Sequence, residues 1–406
     1  MKKILFISSS RADYGLLRNV IIETKKNKKI KVSIFVTGSH LSKKFGSTIK
    51  EIEKDGLKKN IIKKKILKKN FFEKDISNYI SQTIISTSNI LDNIKPEKIV
   101  ILGDRYELLG CAVAAMSHRI PIAHIHGGEV TTGAIDDSIR HSISKLSHLH
   151  FPIHNDYKKR LIQLGENPKT IFNYGGLGAH SIKNSKFKCK SSLEKELNIS
   201  LDKKIFLITF HPTTLEKNES QYQINNLLSA LDEFKNVIKI FTSSNFDHEN
   251  KIINNKILNF TKKNKNAFFY SSLGHLNYVS LMKISDAVIG NSSSGVLETP
   301  SLGIPTINIG NRQKGRIISE NVINSKYEKK HIVLNIKKAL DFDKKKLFKI
   351  GSPFYKIDTP KKIANKIISF KCDLKKDFKD LKKTYLILIV LPNLLDFLIP
   401  SIICIV

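Results

Sequence analysis

Tryptophan is absent from the 406-residue sequence, and cysteine is scarce, with four residues at positions 111, 189, 372 and 404. No two of these cysteines form a CxxC pair, so the sequence indicates neither a disulfide framework nor a zinc knuckle. A reducing compartment fits this usage, and the first apolar run, residues 4–7, is too short for the core of a secretory signal. We therefore expect the protein to be cytoplasmic.

Arginine is also scarce, because only eight of the 69 basic residues are Arg although the formal net charge is +33. The lysines are spread along the chain together with many Asn and Ile, which indicates a bias in residue usage rather than one basic patch. Aromatic interleaving and Arg-rich base-reading motifs are absent, so we do not expect a nucleic-acid partner. The alternative is a protein that binds nucleic acid or a membrane surface, because such a protein would explain the net charge of +33 without a ligand pocket. The densest basic stretch, residues 58–69, is predicted to be a solvated face.

One stretch is long and apolar enough to cross a membrane. Residues 385–406 follow a lysine pair and contain Asp396 as their only charged residue. Pro392, Pro400 and the central Asp396 argue against a membrane helix. A tail anchor, a packing segment and an end without function all stay open, and we expect membrane contact only if this hydrophobic tail is an anchor.

The remaining composition, 41% apolar, 26% charged and 8% aromatic, is typical of soluble globular proteins and excludes a disordered, collagenous or multi-span membrane chain. Short runs rich in Ile, Val and Phe alternate with helical patterns such as residues 107–118 and 135–146, which is typical of a doubly wound α/β fold with parallel strands. The predicted strands are residues 4–9, 32–37, 99–103, 122–126, 149–153 and 171–174, then 205–210, 237–243, 267–271, 287–290 and 306–309.

The length and the two series of strands predict two domains, residues 1–175 and 205–371, joined by a connection at 176–204. In open parallel sheets, ligands bind at the carboxyl ends of the strands. We therefore expect a ligand in the cleft between the two domains.

Polar residues follow the first and third predicted strands. The turn SSSRADYG at 8–15 opens a helix and carries Arg11, as an anion site would, although an N-capped helix with a surface Arg has the same pattern. Asp104 directly follows the strand at 99–103 and faces the cleft, unless it only caps the next helix.

The segment HIHGGE at 124–129 is the richest cluster. Strand alternation places His124 and His126 on one face with His126 nearest the cleft, and two glycines deliver Glu129 to the rim. Asp136 and Arg140 are spaced i, i+4 on a helix and would suit a surface pair. Several carboxylates that converge on one pocket with Arg and His are suited to proton transfer at a sugar carbon. Metal binding by the two histidines is not favoured, because no third ligand stands at a suitable spacing.

In the second half, His211 ends a strand, and the run GNSSSGVLE at 290–298 ends another and begins a helix. Serine hydroxyls and backbone N–H groups at a helix N-terminus make a phosphate site without a Walker lysine. Glu298, one helical turn further, would accept hydrogen bonds from a ribose diol. A Ser-rich capping loop with a surface Glu is the alternative.

Seven runs occur together in one order: SSSRADYG (8–15), GDRYE (103–107), HIHGGE (124–129), DDSIRH (136–141), TFHP (209–212), GNSSSG (290–295) and GNRQKGR (310–316). With these runs, the sequence from Lys2 to about Lys371 resembles the hydrolysing UDP-N-acetylglucosamine 2-epimerases of sialic acid and legionaminic acid biosynthesis. The resemblance implies the GT-B arrangement, two Rossmann-like domains with the nucleotide-sugar between them.

The resemblance also implies roles by position. Asp104, Glu129 and Asp136 would be the catalytic carboxylates, with Arg140 orienting one of them and His211 near the leaving phosphate. The residues implied to bind the nucleotide are Arg11, His211, Ser292, Ser293, Ser294, Glu298, Arg312 and Arg316. A UDP-sugar is then the expected partner, no metal or other cofactor is needed, and a homo-oligomer is expected.

The implied reaction converts UDP-N-acetylglucosamine to N-acetylmannosamine and UDP by elimination of UDP and addition of water, in nonulosonic (sialic) acid biosynthesis. UDP-N,N′-diacetylbacillosamine is the alternative substrate, and a GT-B glycosyltransferase is the alternative enzyme. The sequence does not assign base and acid among the three carboxylates, although we favour Asp104 as the base.

Overall fold

The computed structural model describes residues 1–42, 48–66, 75–245 and 249–381. Two six-stranded parallel sheets form its framework, in the orders β3-β2-β1-β4-β5-β6 and β12-β11-β10-β7-β8-β9. The strands are β1 (Lys2–Ser8), β2 (Ile30–Val36), β3 (Ile61–Lys63), β4 (Lys98–Leu102), β5 (Ile122–Ile125), β6 (Leu149–Phe151), β7 (Lys204–Thr209), β8 (Val237–Thr242), β9 (Ala267–Tyr270), β10 (Ala287–Gly290), β11 (Thr306–Ile309) and β12 (Val322–Ser325).

Helices connect most successive strands and cover both faces of each sheet, whereas β11 leads to β12 through a loop. They are α1 (Arg11–Lys25), α2 (Ile49–Ile52), α3 (Ile76–Ile94), α4 (Tyr106–Ser117), α5 (Asp136–Leu146), α6 (Asn155–Gln163), α7 (Leu177–Lys183), α8 (Lys190–Leu197), α9 (Ser220–Leu231), α10 (Asn250–Lys263), α11 (Gly274–Ile284), α12 (Ser294–Leu297), α13 (Lys329–Leu340), α14 (Lys344–Ile350) and α15 (Thr359–Ser369).

The apolar run of β1 shows why the sequence folds this way. Ile4 and Phe6 belong to the core on one face of the first sheet, and Leu5 and Ile7 belong to the core on the other face. A strand that is covered on both faces needs apolar side chains at every position, so it lacks the alternation of a half-exposed strand. The doubly wound α/β class predicted from the sequence is confirmed.

Three details differ from the sequence-based prediction. The edge strands β3 and β12 were not predicted, and the predicted strand at 171–174 is reduced to a single bridge between Ile171 and His150. The basic stretch at 58–69 is not simply a solvated face in its described part, because Ile61 and Ile62 pack against the two cores of the first sheet. Short edge strands leave part of their surface exposed, so they lack the continuous apolar run of central strands.

The chain returns to the first sheet after it completes the second. Helix α15 packs against α1, and its residues Ile363, Ala364 and Ile367 belong to a core of the first sheet. The predicted limits 1–175, 176–204 and 205–371 therefore remain a prediction, and a division by core places α15 with the first sheet. The predicted tail, residues 385–406, lies outside the described residues.

Among the residues that the structure describes, no helix has both the length and the apolar character that a membrane span requires.

We predict that Ile363→Ala weakens the first sheet although residue 363 follows the second sheet in sequence. Ile363 is 1% exposed, so the truncation should lower the free energy of unfolding by about 2–5 kcal/mol in urea titrations. Leu334→Ala on α13, where the side chain is 62% exposed, is the control and should change it by less than about 0.5 kcal/mol. Equal effects of the two variants would contradict the packing of α15.

Candidate active site

A cavity of about 620 Å³ lies between the two sheets, at the carboxyl ends of their strands. This volume is in the range of small-molecule sites. Nine of the residues predicted from the sequence line the cavity: Arg11, Asp104, Asp136, His211, Ser292, Ser293, Ser294, Glu298 and Arg312. The other three are not among its lining residues: Glu129 and Arg140 are buried, and Arg316 is partly buried.

Asp104 lies at the cavity end of β4 and is paired with Arg140 from α5. The Arg140 side chain is 1% exposed, and both its Nε, at 2.8 Å, and its Nη2 donate to Asp104 Oδ2. Burial raises the pKa of Asp104, but the charges of Arg140 and Arg316 outweigh burial and lower the pKa below its usual range. Asp104 is therefore an ionised carboxylate at neutral pH.

Arg140 is a junction between several elements rather than half of a surface pair. Besides Asp104, its guanidinium donates to the Glu129 carbonyl oxygen at 2.9 Å, to Thr131 Oγ1 at 3.0 Å and to Asp137 Oδ1 at 3.2 Å. The sequence predicted Asp136 as the helical neighbour of Arg140, and the charge of Asp136 does act on Arg140. On the same helix, Asp137 also forms an ion pair with Arg140. Asp136, the first residue of α5, lines the cavity.

Glu129 lies behind the cavity wall, in a chain of charges that crosses between the two sheets. Its Oε2 is 2.9 Å from Nη2 of Arg316, and its Oε1 is 2.8 Å from Nδ1 of His126. Burial alone would raise the pKa of Glu129, but Arg316 and then His126 outweigh burial and lower the pKa to about 2. The prediction that Glu129 lies at the rim of the cleft is wrong, because its side chain is only 1% exposed.

The N-terminus of α1 carries Arg11 to the cavity. Ser10 caps the helix together with Asp13, whose carboxylate accepts hydrogen bonds from the backbone N–H groups of Ser9 and Ser10. Asp13 is thereby fixed as a helix cap. Arg11 reaches across the cleft and donates to Ser272 Oγ, which follows β9 in the second sheet.

His211 follows β7 and presents a neutral imidazole to the cavity. The backbone N–H of Asn245 donates to its Nδ1 at 3.0 Å, so in the neutral ring Nε2 carries the proton. Burial, followed by the charges of Arg312 and Arg105, keeps the pKa of His211 well below its ordinary value. Such a ring is a hydrogen-bond donor for an anionic ligand without being a cation itself.

The serine run after β10 forms the adjoining wall. Ser294 Oγ lies 2.6 Å from the Tyr278 hydroxyl and 3.1 Å from Ser292 Oγ. Arg312 is held over this wall by donating to the Asn291 carbonyl oxygen at 3.2 Å. Hydroxyls and a guanidinium together are typical of sites that bind phosphate groups.

Glu298 lines the cavity, and the resemblance implies that it binds the ribose. Burial raises the pKa of Glu298 to about 7, and the charge of His126 opposes this shift only in part. A Cβ atom at position 178 would lie 3.3 Å from the Glu298 side chain, so Gly178 leaves room for the Glu298 carboxyl group. A carboxyl group of this kind accepts hydrogen bonds readily once a ligand donates them.

Backbone contacts hold the two sheets at this separation. Thr132 N donates to Lys314 O at 3.0 Å, Ile135 N donates to Thr214 Oγ1 at 3.0 Å, and Ile317 N donates to the Tyr157 hydroxyl at 3.1 Å. The contacts of Lys314 and Ile317 fix the loop that carries Arg312 and Arg316 against the first half, and the contact of Thr214 fixes the loop after β7 there. The site is therefore assembled from both halves of the chain.

Sequence analysis missed other lining residues, among them Tyr79, Arg105, Glu107, Asn245 and His275. Arg105 and Glu107 stand within the run GDRYE, and Asn245 and His275 follow β8 and β9. The rule that ligands bind beyond strand ends would have indicated all of these except Tyr79, which lies on α3. In the described part of the chain, no cluster of three or more His, Cys, Asp or Glu side chains is placed to hold a metal ion.

His124 is an example of a histidine that is not placed to hold a metal ion. Its Nε2 donates to the Gly103 carbonyl oxygen at 2.8 Å, and its Nδ1 lies 3.1 Å from Ser144 Oγ. Both ring nitrogens are thus used within the first sheet. His124 holds the loop after β4 rather than a ligand.

Two Rossmann-like parallel sheets with a polar cavity at the carboxyl ends of their strands form an arrangement typical of enzymes that bind a ligand in the cleft. The family model described as UDP-N-acetylglucosamine 2-epimerase matches residues 22–368, and the chain belongs to this family. The resemblance stated from the sequence is thereby confirmed.

Two curated relatives are similar over most of the chain. The "GDP/UDP-N,N'-diacetylbacillosamine 2-epimerase (hydrolyzing)" of Campylobacter jejuni is 46% identical over 326 residues, which cover 80% of this chain and 84% of the relative. The "Polysialic acid biosynthesis protein P7" of Escherichia coli is 39% identical over 384 residues, which cover 94% and 97% of the two chains.

Solved structures confirm the GT-B arrangement. The UDP-GlcNAc 2-epimerase of Neisseria meningitidis, solved with UDP-GlcNAc bound, superposes with a TM-score of 0.74 at 19% identity, and the match covers 91% of this chain and 100% of that one. At this identity the likeness concerns the fold alone.

We predict that Glu298→Gln stabilises the protein more at pH 8 than at pH 5. The pKa of Glu298 rises from 4.5 to about 7 on folding, so the native state holds a proton that the unfolded state loses first. The parent therefore loses stability as the pH rises from about 4.5 to 7, and the deficit persists above pH 7. Thermal melts of both proteins at the two pH values measure the effect, and a gain that is equal at both would contradict it.

Proposed function

We propose that the protein is a hydrolysing 2-epimerase that converts UDP-N-acetylglucosamine to N-acetylmannosamine and UDP. The observation that carries the proposal is the division of the cavity into two walls. From the second half of the chain, Ser292–Ser294, Arg312 and the neutral His211 face Asp104 and Asp136 of the first half, and Arg11 of the first half adds a second cation from α1. The family match and the relative named as a hydrolysing epimerase support the same reaction type.

The second wall suits UDP. Ser292–Ser294 and His211 Nε2–H offer neutral donors, and Arg312 offers charge to the diphosphate. Arg11 adds a second charge from the first half of the chain, across the cleft. Glu298 would accept hydrogen bonds from the ribose diol. These groups stabilise the charge that accumulates on the diphosphate as the bond to carbon 1 of the sugar breaks.

The first wall suits the sugar. Carbon 2 of an N-acetylhexosamine has no acidic proton until positive charge builds on carbon 1 as UDP departs. A base then takes the proton and leaves a 2-acetamidoglucal, to which water adds with inversion at carbon 2. Asp104 and Asp136 line the part of the cavity where these proton transfers would occur, with Arg140 and Glu129 behind them.

UDP-N,N′-diacetylbacillosamine is the second candidate substrate, and the printed name of the Campylobacter jejuni relative favours it. This sugar has an acetamido group in place of the hydroxyl at carbon 4, and it lacks the hydroxyl at carbon 6, which is a methyl group. A site that hydrogen-bonds those hydroxyls rejects the less polar sugar by several orders of magnitude, whereas an apolar site discriminates only modestly. The two specificity constants therefore decide between the sialic acid and legionaminic acid branches.

We predict that incubation with UDP-N-acetylglucosamine in heavy water releases UDP and N-acetylmannosamine with deuterium at carbon 2. The reason is that the proton added at carbon 2 comes from solvent-exchangeable groups. Mass spectrometry and NMR of the released sugar measure this, and the same assay with UDP-N,N′-diacetylbacillosamine gives the second specificity constant. Unlabelled sugar transferred to an acceptor would instead identify a glycosyltransferase and contradict the proposal.

We predict opposite kinetic effects for variants of the two walls. Asp136→Asn should lower kcat by about 100-fold or more with little change in UDP affinity, because its carboxylate acts on the sugar. Ser293→Ala should mainly raise KM, because it binds UDP alike in the ground state and the transition state. Steady-state kinetics and calorimetric titration with UDP measure both, with the surface variant Glu97→Gln as the control. A tenfold loss of UDP affinity in Asp136→Asn at normal kcat would contradict its role.

A further inference from the structure

Glu107 is a buried carboxyl group in the wall of the cavity. It is the second residue of α4, and it lines the cavity although its side chain is only 3% exposed. Its Oε1 accepts a hydrogen bond from Arg105 Nε at 3.3 Å. Its Oε2 is buried and has no hydrogen-bond partner among residues 1–42, 48–66, 75–245 and 249–381. An unpaired acceptor in a protein interior costs free energy, so its presence at the cavity needs a reason.

The start of a helix does not by itself explain the burial of Glu107. A negative side chain is favourable near a helix N-terminus, but a carboxylate that stays in water has the same benefit. Burial takes water away from Oε2 and supplies no donor in its place. A ligand in the cavity that donates to this carboxyl group would restore the lost hydrogen bond.

The packing of α4 against α3 holds Glu107 in this position. A Cβ atom on Gly110, one helical turn after Glu107, would lie 2.9 Å from the Ile80 carbonyl oxygen of α3, so the glycine permits a close approach of the two helices. Tyr79, the neighbour of Ile80, therefore lines the cavity together with Glu107. The next residue, Leu108, is fully buried in a core of the first sheet. The backbone that carries the carboxyl group is thus fixed by the interior of the protein.

The other carboxyl groups that line the cavity already have a function. Asp13 accepts the hydrogen bonds of the α1 cap, and Asp104 accepts those of an arginine from α5. Asp136 is assigned above to proton transfer and Glu298 to the ribose. Glu107 lies three residues after Asp104, in the wall from the first half of the chain, and this is the wall proposed for the sugar.

We propose that the Glu107 carboxylate accepts a hydrogen bond from a hydroxyl or an amide N–H of the sugar at carbon 3, 4 or 6, and thereby determines which sugar the enzyme accepts. The inference rests on the proposed function and adds a specificity-determining residue to it. A carboxylate has only lone pairs, so it accepts from O–H or N–H groups but gains nothing from a methyl group. A sugar without the matching donor leaves the buried oxygen unpaired, which lowers the specificity constant by about 10- to 100-fold.

The first test is Glu107→Ala, assayed with the nucleotide-sugar that the parent prefers. We expect kcat/KM to fall by about 10- to 100-fold, mainly through KM, because a hydrogen bond to a non-reacting group exists in the ground state and the transition state alike. UDP affinity by calorimetry should stay within about twofold of the parent, since UDP lacks the sugar. Glu97→Ala, at an exposed ion pair with Lys2, is the matched control and should keep parental kinetics.

Two kinetic results would overturn the assignment. One is a kcat/KM of Glu107→Ala within about threefold of the parent, because a hydrogen bond to a charged group contributes more than that. The other is a loss of kcat above about 100-fold at unchanged KM, because it would place Glu107 in the proton transfers instead.

The second test separates sugar binding from a structural role. Glu107→Gln keeps the shape of the side chain and removes a buried charge, so the melting temperature without ligand should lie no more than about 2 °C below that of the parent. The variant also keeps the proposal testable if Glu107→Ala fails to fold. A fall in melting temperature of more than about 5 °C, with equal losses of affinity for UDP and the nucleotide-sugar, would overturn the proposal.

Glu107→Gln also distinguishes the two kinds of donor. Arg105 Nε retains the side-chain oxygen, so the amide NH₂ group takes the place of Oε2. A sugar hydroxyl tolerates this change because it accepts as well as donates, whereas an amide N–H would face a second donor. A loss of kcat/KM below about fivefold therefore supports a hydroxyl partner, and a loss as large as that of Glu107→Ala supports an N–H partner.

The third test removes the donor from the substrate. UDP-N-acetylglucosamine analogues that lack the hydroxyl at carbon 3, 4 or 6 are compared in the parent and in Glu107→Ala. For the diacetylated sugar, the analogue without the acetamido group at carbon 4 is added. For one analogue, kcat/KM of the parent should fall by about 10- to 100-fold while that of the variant changes by less than about threefold.

Equal ratios in the parent and the variant for every analogue would overturn the assignment, because the losses would then be independent. An inactive parent on both nucleotide-sugars would overturn the proposed function together with this assignment. An active parent with parental specificity in Glu107→Ala overturns this assignment alone.

Discussion

The negative charge of Glu129, buried where the two sheets meet, is the constraint on which the site depends. It stays ionised because Arg316, from the loop after β11, lies 2.9 Å away, and it orients His126 at 2.8 Å. A buried carboxylate that lost its cation would cost several kcal/mol, so this pair favours the observed approach of the two sheets. The backbone bonds from Thr132 N to Lys314 O and from Ile317 N to the Tyr157 hydroxyl seat the arginine loop in the same place. The approach of the two sheets and the position of the His126 ring therefore both depend on the Glu129 carboxylate.

The central strands could be predicted from the sequence because burial on both faces demands uninterrupted apolar runs, as in β1. The edge strands β3 and β12 could not, since each is short and partly exposed and so lacks that signal. Helix α15 shows a different limit. Its apolar face is clear from periodicity, but nothing local states which of two similar cores receives Ile363 and Ile367. That choice is made by the tertiary packing against α1.

Site residues directly beyond strand ends were predictable for the same geometric reason, because parallel strands deliver their carboxyl ends to one edge. Asp104 and His211 line the cavity in agreement with that rule. Partners from distant parts of the chain were not predictable. The resemblance implied that Arg140 orients one of the three carboxylates, but only the structure identifies that carboxylate as Asp104. Glu129, expected at the rim, instead forms a buried ion pair with Arg316. Periodicity reports which face a residue occupies, whereas ion pairing depends on which elements the fold brings together.

The structure shows that most of the few arginines lie at or directly behind the cavity. Of the eight arginines, three line the cavity and two lie directly behind it, namely Arg11, Arg105, Arg312, Arg140 and Arg316. The other 61 basic residues are lysines, and among the described residues only Lys251 joins the lining. A lysine provides surface charge as well as an arginine does, but it has no planar fork of donors and deprotonates more readily when buried. A bias in residue usage can therefore replace arginine by lysine across the surface, whereas the buried pairs with Asp104 and Glu129 retain arginine. The large positive charge thus reflects the surface, and the few arginines mark the site.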